Sequence, residues 1–248
     1  MVLSACNLSI LPLRAEASHR SEMVTQVLFG EAFEILEEGV DFDRIRLLDT
    51  SYEGWIQRHQ SGQLATLQPT KHIIDLAGGK AHSTTHTVQL LHGTPVPSNS
   101  LQIGSELYTI EGTVREGTLD DFDIEFPKLI QHYNNSPYLW GGRSPYGIDC
   151  SGFSQVVYRH FGIALRRDAW QQAESGDTVN FLPEIKAGDL AFFDNEAGRI
   201  THVGVMIDNE TIIHAAGRVR IDKMDTEGIF NAQQNKYTHK LRIVKRYF

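Results

Sequence analysis

The stretch that most constrains the fold of this chain is Tyr138–Phe153, a loop rich in glycine, proline and serine that contains Asp149 and Cys150 near its end. Apolar residues follow at helical spacing, including Val156 and Val157, so Cys150 is predicted in the first turn of a helix. Unpaired backbone N–H groups and the positive end of the helix dipole favour an anion there, so we expect a lowered thiol pKa. The alternative is a buried, unreactive cysteine. Because a glycine loop suits a site open to substrate, the sequence favours a reactive Cys150.

Length, charge and cysteine content narrow the classes of protein. A chain of 248 residues is long enough for two or three domains. Its formal net charge of −8 argues against nucleic acid or an anionic membrane as the main partner. The two cysteines lie far apart and predict no disulfide framework, so a reducing compartment is the simpler expectation.

The beginning of the sequence, Leu3–Cys6, has the look of a lipoprotein processing site. Only Met1 and Val2 precede it, without the basic region and the apolar run of about 7–15 residues that mark a secretion signal. No stretch approaches the roughly 20 apolar residues of a membrane span. We therefore expect Cys6 to lie in a first strand and the protein to be cytoplasmic.

Residues 1–66 are predicted to form a small all-β barrel, because short strands are separated by turn residues such as Gly30 and Gly39. The segments Val27–Glu31 and Tyr52–Ile56 resemble those of bacterial SH3-like domains. Residues 67–118 repeat this pattern more faintly, and we expect them to be a second SH3-like unit or a linker.

Residues 119–248 have a different pattern. One helix is predicted before the Cys150 helix and another after it, at Ala169–Glu174. Strands follow, including Gly188–Phe193 and a last one at Leu241–Phe248. Helices first and antiparallel strands afterwards predict an α+β domain.

Two histidines, His202 and His214, lie on the strands of a predicted hairpin, next to small residues. A thiol nucleophile needs a base, and the base needs a group that orients it. We predict an odd-length connection at Ile207–Asn209, which places His202 directly opposite His214 on one face, whereas a two-residue turn would separate them. Two alternatives stay open: each histidine is an ordinary hydrogen-bonded strand residue, or Cys150 and both histidines hold a zinc ion.

Five segments of the last part, taken in order, resemble those of the NlpC-type cell-wall peptidases, which are papain-like cysteine peptidases. The segments are Tyr138-Leu-Trp-Gly-Gly, Asp149-Cys-Ser-Gly-Phe, Ala187-Gly-Asp-Leu, Thr201-His-Val-Gly-Val and Ile213-His-Ala. The resemblance covers roughly residues 120–248 and implies a peptidase domain at 119–248. It implies that Cys150 is the nucleophile, His202 the base and His214 the orienter. Tyr138 is implied to help stabilise the oxyanion, with a packing role as the alternative.

An SH3-like part joined to such a peptidase resembles the γ-D-glutamyl-L-diamino acid endopeptidases. This resemblance implies a murein peptide with a free N-terminal L-alanine as the substrate, cut before meso-diaminopimelate or lysine. It implies that the free amine is received by Asp168, Glu31 and Tyr52. It assigns the γ-D-glutamyl part of the substrate to Asp149 and Ser151.

Ordinary structural roles compete with several of these assignments. Asp168 is also placed to cap a helix, and Glu31 and Tyr52 are residue types common in turns and on barrel surfaces. Arg167 has two candidate partners, a substrate carboxylate and Asp168.

The sequence thus predicts a cytoplasmic cysteine peptidase of murein recycling, whose SH3-like domain narrows the groove and rejects intact wall polymer. No cofactor, metal ion, nucleic acid or membrane partner is expected, and we expect a monomer. The rival interpretations are a non-catalytic wall-binding protein and an acyltransferase or amidase on the same scaffold.

Overall fold

The computed structural model describes residues 3–67, 70–97 and 99–248, and strands dominate it. The chain forms two compact units. The first comprises Met1–Glu125 and Tyr158–Ala164, and the second Phe126–Val157 and Leu165–Phe248. The finer subdivision expected at residues 66 and 118 stays a prediction. Within the expected middle part, residues 68, 69 and 98 lie outside the described residues.

The first sheet of the first unit has seven antiparallel strands. They are β1 (Leu3–Cys6), β2 (Ile10–Arg14), β3 (Met23–Leu28), β4 (Ala32–Glu38), β5 (Phe42–Leu47), β6 (Glu53–Gln57) and β7 (Ser61–Gln63), in the spatial order β3-β2-β6-β5-β4-β1-β7. Burial alternates along β2, where Leu11 and Leu13 point into a core that also contains Phe33 and Ile45. Cys6 lies in β1 and belongs to the same core, so its predicted strand position is confirmed.

A second antiparallel sheet follows in the first unit. Its strands are β8 (His72–His82), β9 (Thr87–Leu90), β10 (Pro95–Val96), β11 (Ser100–Ile103) and β12 (Glu106–Glu116). The long strand β8 was not predicted, because Gly78 and Gly79 interrupt its apolar pattern. A Cβ atom at Gly79 would stand 2.6 Å from the backbone oxygen of Glu111, so the close approach of β8 to β12 requires a glycine there.

The chain has three α-helices, α1 (Phe122–Tyr133), α2 (Cys150–His160) and α3 (Ala169–Gln172), within the described ranges. Helix α2 begins at Cys150, as predicted, and buries Phe153, Val156 and Val157. Helix α3 ends two residues earlier than expected. None of the three helices is long and apolar enough to cross a membrane.

The strands of the second unit lie mostly after these helices. They are the short pair β13 (Arg143–Ser144) and β14 (Gly147–Ile148), then β15 (Asp177–Val179), β16 (Leu190–Asp194), β17 (Ile200–Met206), β18 (Thr211–Ala216), β19 (Arg218–Met224), β20 (Gly228–Asn231) and β21 (Lys236–Arg246). The sheet order is β15-β21-β16-β17-β18-β19-β20, and β20 also pairs with β21. Strands β16 to β21 therefore close into a six-stranded antiparallel barrel. Its apolar core includes Ala191, Met206 and Ile212.

The β17–β18 hairpin differs in register from the prediction. Gly204, not His202, stands opposite His214, and Met206 stands opposite Ile212. The prediction that the histidines lie directly opposite each other is therefore wrong by two residues. A shift of two keeps both side chains on the same face, because the side-chain period of a strand is two. The histidines are diagonal neighbours.

Candidate active site

Cys150 occupies the first position of α2, directly after an N-cap residue. The Oδ1 atom of Asp149 accepts a hydrogen bond of 2.7 Å from the backbone N–H of Gly152, the third helical residue. A Cβ atom at Gly152 would lie 2.2 Å from the backbone oxygen of Gly142, so the helix start packs directly on the glycine loop. The loop and the cap together fix where the thiol stands.

The expectation of a lowered thiol pKa is wrong. Burial, followed by the charge of Asp149, raises the pKa of Cys150 to about 12. Backbone hydrogen bonds from Val203 and Ser151 and the charge of Arg167 oppose this rise only in part. The main reason is that the thiol is buried, and the second is that the helix start already holds one anion, the Asp149 carboxylate. Cys150 is therefore a neutral thiol at neutral pH and needs a base to become a nucleophile.

Asp149, Ser151 and Arg167 form a buried polar network at the start of α2. Arg167 donates to Asp149 Oδ2 at 2.6 Å and to the Ser151 hydroxyl at 2.7 Å. Asp149 Oδ2 also accepts from the backbone N–H of Gly141 at 2.8 Å. Arg167 thus pairs with Asp149, a partner that the sequence did not suggest. These bonds hold the loop and the helix start in register; contact of the three residues with substrate stays a prediction.

His202 and His214 meet through their ring nitrogens. His202 Nε2 and His214 Nδ1 are 2.8 Å apart, and both side chains are buried. Gly204 makes this diagonal contact feasible, because a Cβ atom there would stand 2.9 Å from the Cβ of His214. The hydrogen bond between Cys150 and the backbone of Val203 places the thiol beside the strand that carries His202.

Both histidines are neutral in this environment. Burial, and then the neighbouring His214 and His239, hold the pKa of His202 well below its usual value. Burial also lowers the pKa of His214, although the hydrogen bond to Asp222 acts against it. A neutral imidazole has a lone pair that can take the thiol proton.

Two residues that the sequence did not single out complete this group. Asp222 Oδ2 lies 3.0 Å from His214 Nε2 and 2.7 Å from Arg220 Nε. The sequence contains a pattern that could have identified them, because Arg220 and Asp222 alternate with apolar residues after Gly217. A tight turn at Gly217 pairs His214 with Arg220. Strand alternation then puts Asp222 on the same face as His214.

His239 of β21 packs on His202 and His214. Its ring is stacked on that of His202, with 4.1 Å between the centroids. Ring nitrogens of His202, His214 and His239 lie within 4.8 Å of one another and could hold a metal ion. The 2.8 Å between His202 and His214 is, however, a hydrogen-bond distance, whereas two nitrogens on one tetrahedral zinc ion stand about 3.3 Å apart. The geometry favours a hydrogen bond between His202 and His214 over a shared zinc ion.

Tyr138 is half-buried in the loop before α2, in the same unit as Cys150. Burial, and then the nearby Cys150 and Asp149, raise the pKa of its phenol to about 12. The hydroxyl therefore keeps its proton at neutral pH and can donate a hydrogen bond to a developing oxyanion.

The three residues expected to bind an amine belong to two different units. Asp168 is the N-cap residue of α3, and its backbone N–H donates to Gln171 Oε1 at 3.0 Å. Glu31 and Tyr52 belong to the first unit. Glu31 is buried; its Oε1 accepts from Arg159 at 2.5 Å and its Oε2 from the backbone of Leu28 at 2.9 Å. Tyr52 packs on the first core.

The second unit therefore combines a thiol, an adjacent imidazole pair and a protonated phenol. These are the functional groups that a cysteine hydrolase uses for covalent catalysis. The NlpC/P60 family matches residues 135–240, which contain Cys150, His202 and His214. The chain contains an NlpC/P60 domain. It is a cysteine peptidase, and residues 13–60 match the bacterial dipeptidyl-peptidase SH3 domain.

Curated relatives agree with the NlpC/P60 assignment of this domain. The chain is 29% identical over 220 residues to the gamma-D-glutamyl-L-lysine dipeptidyl-peptidase of Bacillus subtilis, covering 77% of this chain and 71% of that protein. It is 36% identical to the protein of the same name from Bacillus cereus, over 37% of this chain and 29% of that protein. The dipeptidyl-peptidase 6 of Lysinibacillus sphaericus is 25% identical, over 87% of this chain and 89% of its own length.

A solved structure shares the fold over the whole length. The crystal structure of an NlpC/P60 family protein from Bacillus cereus superposes with a TM-score of 0.78, covering 99% of both chains at 18% identity. Together with the two family matches, this likeness confirms the expected NlpC/P60 fold with an SH3-like domain.

Proposed function

We propose that this peptidase hydrolyses the bond between γ-D-glutamate and the following L-diamino acid in murein peptides that begin with a free L-alanine. The observation that carries the proposal is the joint presence of the Cys150, His202 and His214 group and of an SH3 domain in a chain similar to two gamma-D-glutamyl-L-lysine dipeptidyl-peptidases.

The reaction begins with a neutral thiol. His202 accepts the proton of Cys150 as the sulfur attacks the γ-carbonyl carbon, and the resulting imidazolium protonates the leaving amine of the diamino acid. Water then attacks the thioester, with His202 again as the base. His214 holds the ring of His202 in place throughout, through the 2.8 Å contact between their nitrogens.

The oxyanion that forms at the γ-carbonyl is stabilised by the backbone N–H of Cys150 and the hydroxyl of Tyr138. Both groups are on elements fixed by the loop and by the N-cap at Asp149, so they need no rearrangement during the reaction. A single donor of this kind typically contributes about 3 kcal/mol to the transition state.

Recognition of the free amine is assigned to acidic and phenolic groups. Asp168 offers a carboxylate near the start of α3 in the unit that holds Cys150. Glu31 and Tyr52 complete the proposed set from the first unit. Glu31 already forms an ion pair with Arg159. To bind the free amine of the substrate as well, its carboxylate must contact two cations at once.

The wider setting is also part of the proposal. The second unit is a papain-like α+β domain, and residues 1–66 and 67–118 are SH3-like parts that admit short peptides and reject intact wall polymer. The enzyme acts as a monomer in the cytoplasm, on peptides released during murein turnover. The chain's similarity to dipeptidyl-peptidases of Bacillus subtilis and Lysinibacillus sphaericus supports a short-peptide substrate.

The test uses L-Ala-γ-D-Glu-meso-diaminopimelate, its lysine analogue and their N-acetylated forms, with products followed by mass spectrometry. We expect cleavage of the free-amine peptides only, by the wild type and by Cys6→Ser, and none by Cys150→Ala. Cys6 is the matched control because it too is a buried free cysteine whose pKa burial raises to about 12.

Other outcomes separate the rival functions. Cleavage of both free and acetylated peptides would leave the peptidase but remove the amine-binding roles of Asp168, Glu31 and Tyr52. Tight binding of murein without turnover would support a wall-binding protein. Transfer of an acyl group to an added amine, in place of hydrolysis, would support an acyltransferase.

A further inference from the structure

The network behind the catalytic base ends on a carboxylate in the interior of the second unit. His202 Nε2 lies 2.8 Å from His214 Nδ1, and His214 Nε2 lies 3.0 Å from Asp222 Oδ2. Asp222 is 8% exposed. The guanidinium of Arg220 contacts both carboxylate oxygens of Asp222. Arg220 Nε lies 2.7 Å from Oδ2 and Arg220 Nη2 lies 2.8 Å from Oδ1.

We propose that Asp222 is a positioning residue for catalysis, which sets the tautomer of His214 and, through it, of His202. The inference rests on the cysteine peptidase activity, and it does not depend on which peptide is cut.

The argument begins at the carboxylate. An ionised carboxylate only accepts hydrogen bonds, so the Nε2 atom of His214 must be the donor of the 3.0 Å contact with Asp222. Burial acts to raise the pKa of Asp222, but the hydrogen bond from His214, the hydrogen bond from Arg220 Nη2 and the charge of Arg220 lower it overall, so the carboxylate stays ionised.

The tautomer of His214 then decides that of His202. A neutral imidazole with a proton on Nε2 has a lone pair on Nδ1, so His214 Nδ1 must accept the 2.8 Å hydrogen bond from His202 Nε2. His202 consequently has its proton on Nε2 and its lone pair on Nδ1. That lone pair is the one that takes the proton of Cys150.

The opposite set of tautomers fails at the carboxylate. If His202 Nδ1 carried the proton, His214 would have to donate from Nδ1 and would turn the lone pair of Nε2 towards the Asp222 oxygen. Two acceptors would then face each other at 3.0 Å in a buried site, which is unfavourable. Asp222 therefore excludes the tautomer in which His202 has no lone pair for the thiol.

With both histidines protonated at Nε2, only one proton moves during the proposed reaction. It leaves the sulfur of Cys150, binds Nδ1 of His202 and later passes to the leaving amine. The protons on His202 Nε2 and His214 Nε2 stay where they are, and the positive charge on His202 is balanced through His214 by the Asp222 carboxylate.

The test combines kinetics with a direct view of the tautomers. Asp222→Ala, Asp222→Asn and the control Asp225→Asn are compared, because Asp225 follows the same strand and accepts a hydrogen bond from Tyr237 near the surface. We expect Asp222→Ala to lower kcat by about 10- to 100-fold with KM changed less than threefold, since its effect reaches the base through one intermediate residue. Asp222→Asn, which keeps an acceptor oxygen, should lose less, and Asp225→Asn should match the wild type.

The tautomers are read by nitrogen-15 NMR of the imidazoles at pH 7.5, which a purely structural role would not change. The wild type should show His202 and His214 both protonated at Nε2, and Asp222→Ala should show a mixture. Either of two results would overturn the proposal: kcat within twofold of wild type in Asp222→Ala, or a loss of kcat with both tautomers unchanged.

Discussion

Two buried histidine pairs in this protein look alike and differ in what surrounds them. In the second unit, nitrogens of His202 and His214 are 2.8 Å apart; in the first unit, those of His92 and His160 are 3.0 Å apart. Each pair continues to a carboxylate and then to an arginine. The sets are His202, His214, Asp222 and Arg220 in one unit, and His92, His160, Glu125 and Arg115 in the other.

The difference lies in the groups that neighbour each pair. The strand of His202 hydrogen-bonds the thiol of Cys150 through Val203. The pKa of His160, in contrast, is set by burial and by the charges of Arg115, Asp75 and Glu125. A buried histidine–carboxylate–arginine network is therefore not a sign of catalysis by itself. In the proposed mechanism, such a network supports a general base only where it lies beside a thiol at a helix start.

The largest effect should come from exchanging one histidine in each pair. His202→Asn removes the base, so we expect kcat/KM to fall by at least about 10³-fold while the protein stays folded. His160→Asn should leave kcat/KM within about threefold. It should lower the free energy of unfolding by about 1–3 kcal/mol, because it disturbs a buried hydrogen-bond network. The measurements are steady-state kinetics and urea unfolding on both variants.

An outcome in which His160→Asn also loses at least 10²-fold in kcat, at unchanged stability, would end the distinction between the two pairs. It would place the first-unit network in the reaction.

A second contrast concerns Tyr138, the proposed side-chain donor to the oxyanion. The proposed reaction in the second unit needs such a donor, and the first-unit histidine pair does not. Tyr138→Phe should reduce kcat by about 10²-fold, because it removes the one proposed side-chain donor to the oxyanion. Tyr146→Phe is the control, since Tyr146 lies in the same loop but is 78% exposed and should match the wild type. A normal kcat in Tyr138→Phe would return Tyr138 to a packing role.

The positions of the candidate site residues could be predicted from the sequence only where a pattern among neighbouring residues determined them. The start of α2 at Cys150 follows from the apolar spacing after it, and the shared face of His202 and His214 follows from strand alternation. The register was wrong by two residues, because nothing within the hairpin sequence says that Gly204 faces His214.

What the sequence did not give depends on contacts between distant residues. Arg167 reaches Asp149 only after the loop, α2 and the following turn have folded together. The pKa of Cys150 is raised because burial and the charge of Asp149 outweigh the backbone hydrogen bonds from Val203 and Ser151 and the charge of Arg167. Strand β8 was missed for another reason: its glycines serve close packing with β12 and carry no periodic signal.

The third prediction tests whether the catalytic pair already holds a thiolate at rest. Because the thiol pKa is raised to about 12, the rate of alkylation of Cys150 by iodoacetamide should rise nearly tenfold per pH unit between pH 7 and 9. The experiment uses Cys6→Ser, so that Cys150 is the one cysteine left. A flat, fast rate between pH 5 and 8 would show instead a preformed thiolate–imidazolium pair.

The smallest effect should appear in the acid stability of the first-unit pair. Burial lowers the pKa of His160 to about 4, from about 6.5 in the unfolded chain. Above pH 6.5 neither state binds the proton. Between pH 6.5 and about 4 the unfolded state binds it more readily, so the free energy of unfolding should fall as the pH falls. A single group of this kind contributes at most about 1.4 kcal/mol per pH unit.

His160→Asn has no imidazole at this position, so its stability should fall less steeply than that of the wild type over the same pH range. Urea unfolding at pH 4.5, 5.5, 6.5 and 7.5 on both proteins measures the difference in slope. Equal slopes would mean that His160 titrates alike in the folded and unfolded states, and the first-unit pair would then differ from the catalytic pair in solvation as well as in its neighbours. A shallower slope in the variant would show that burial keeps His160 neutral, as the lowered pKa values of His202 and His214 indicate for the other pair.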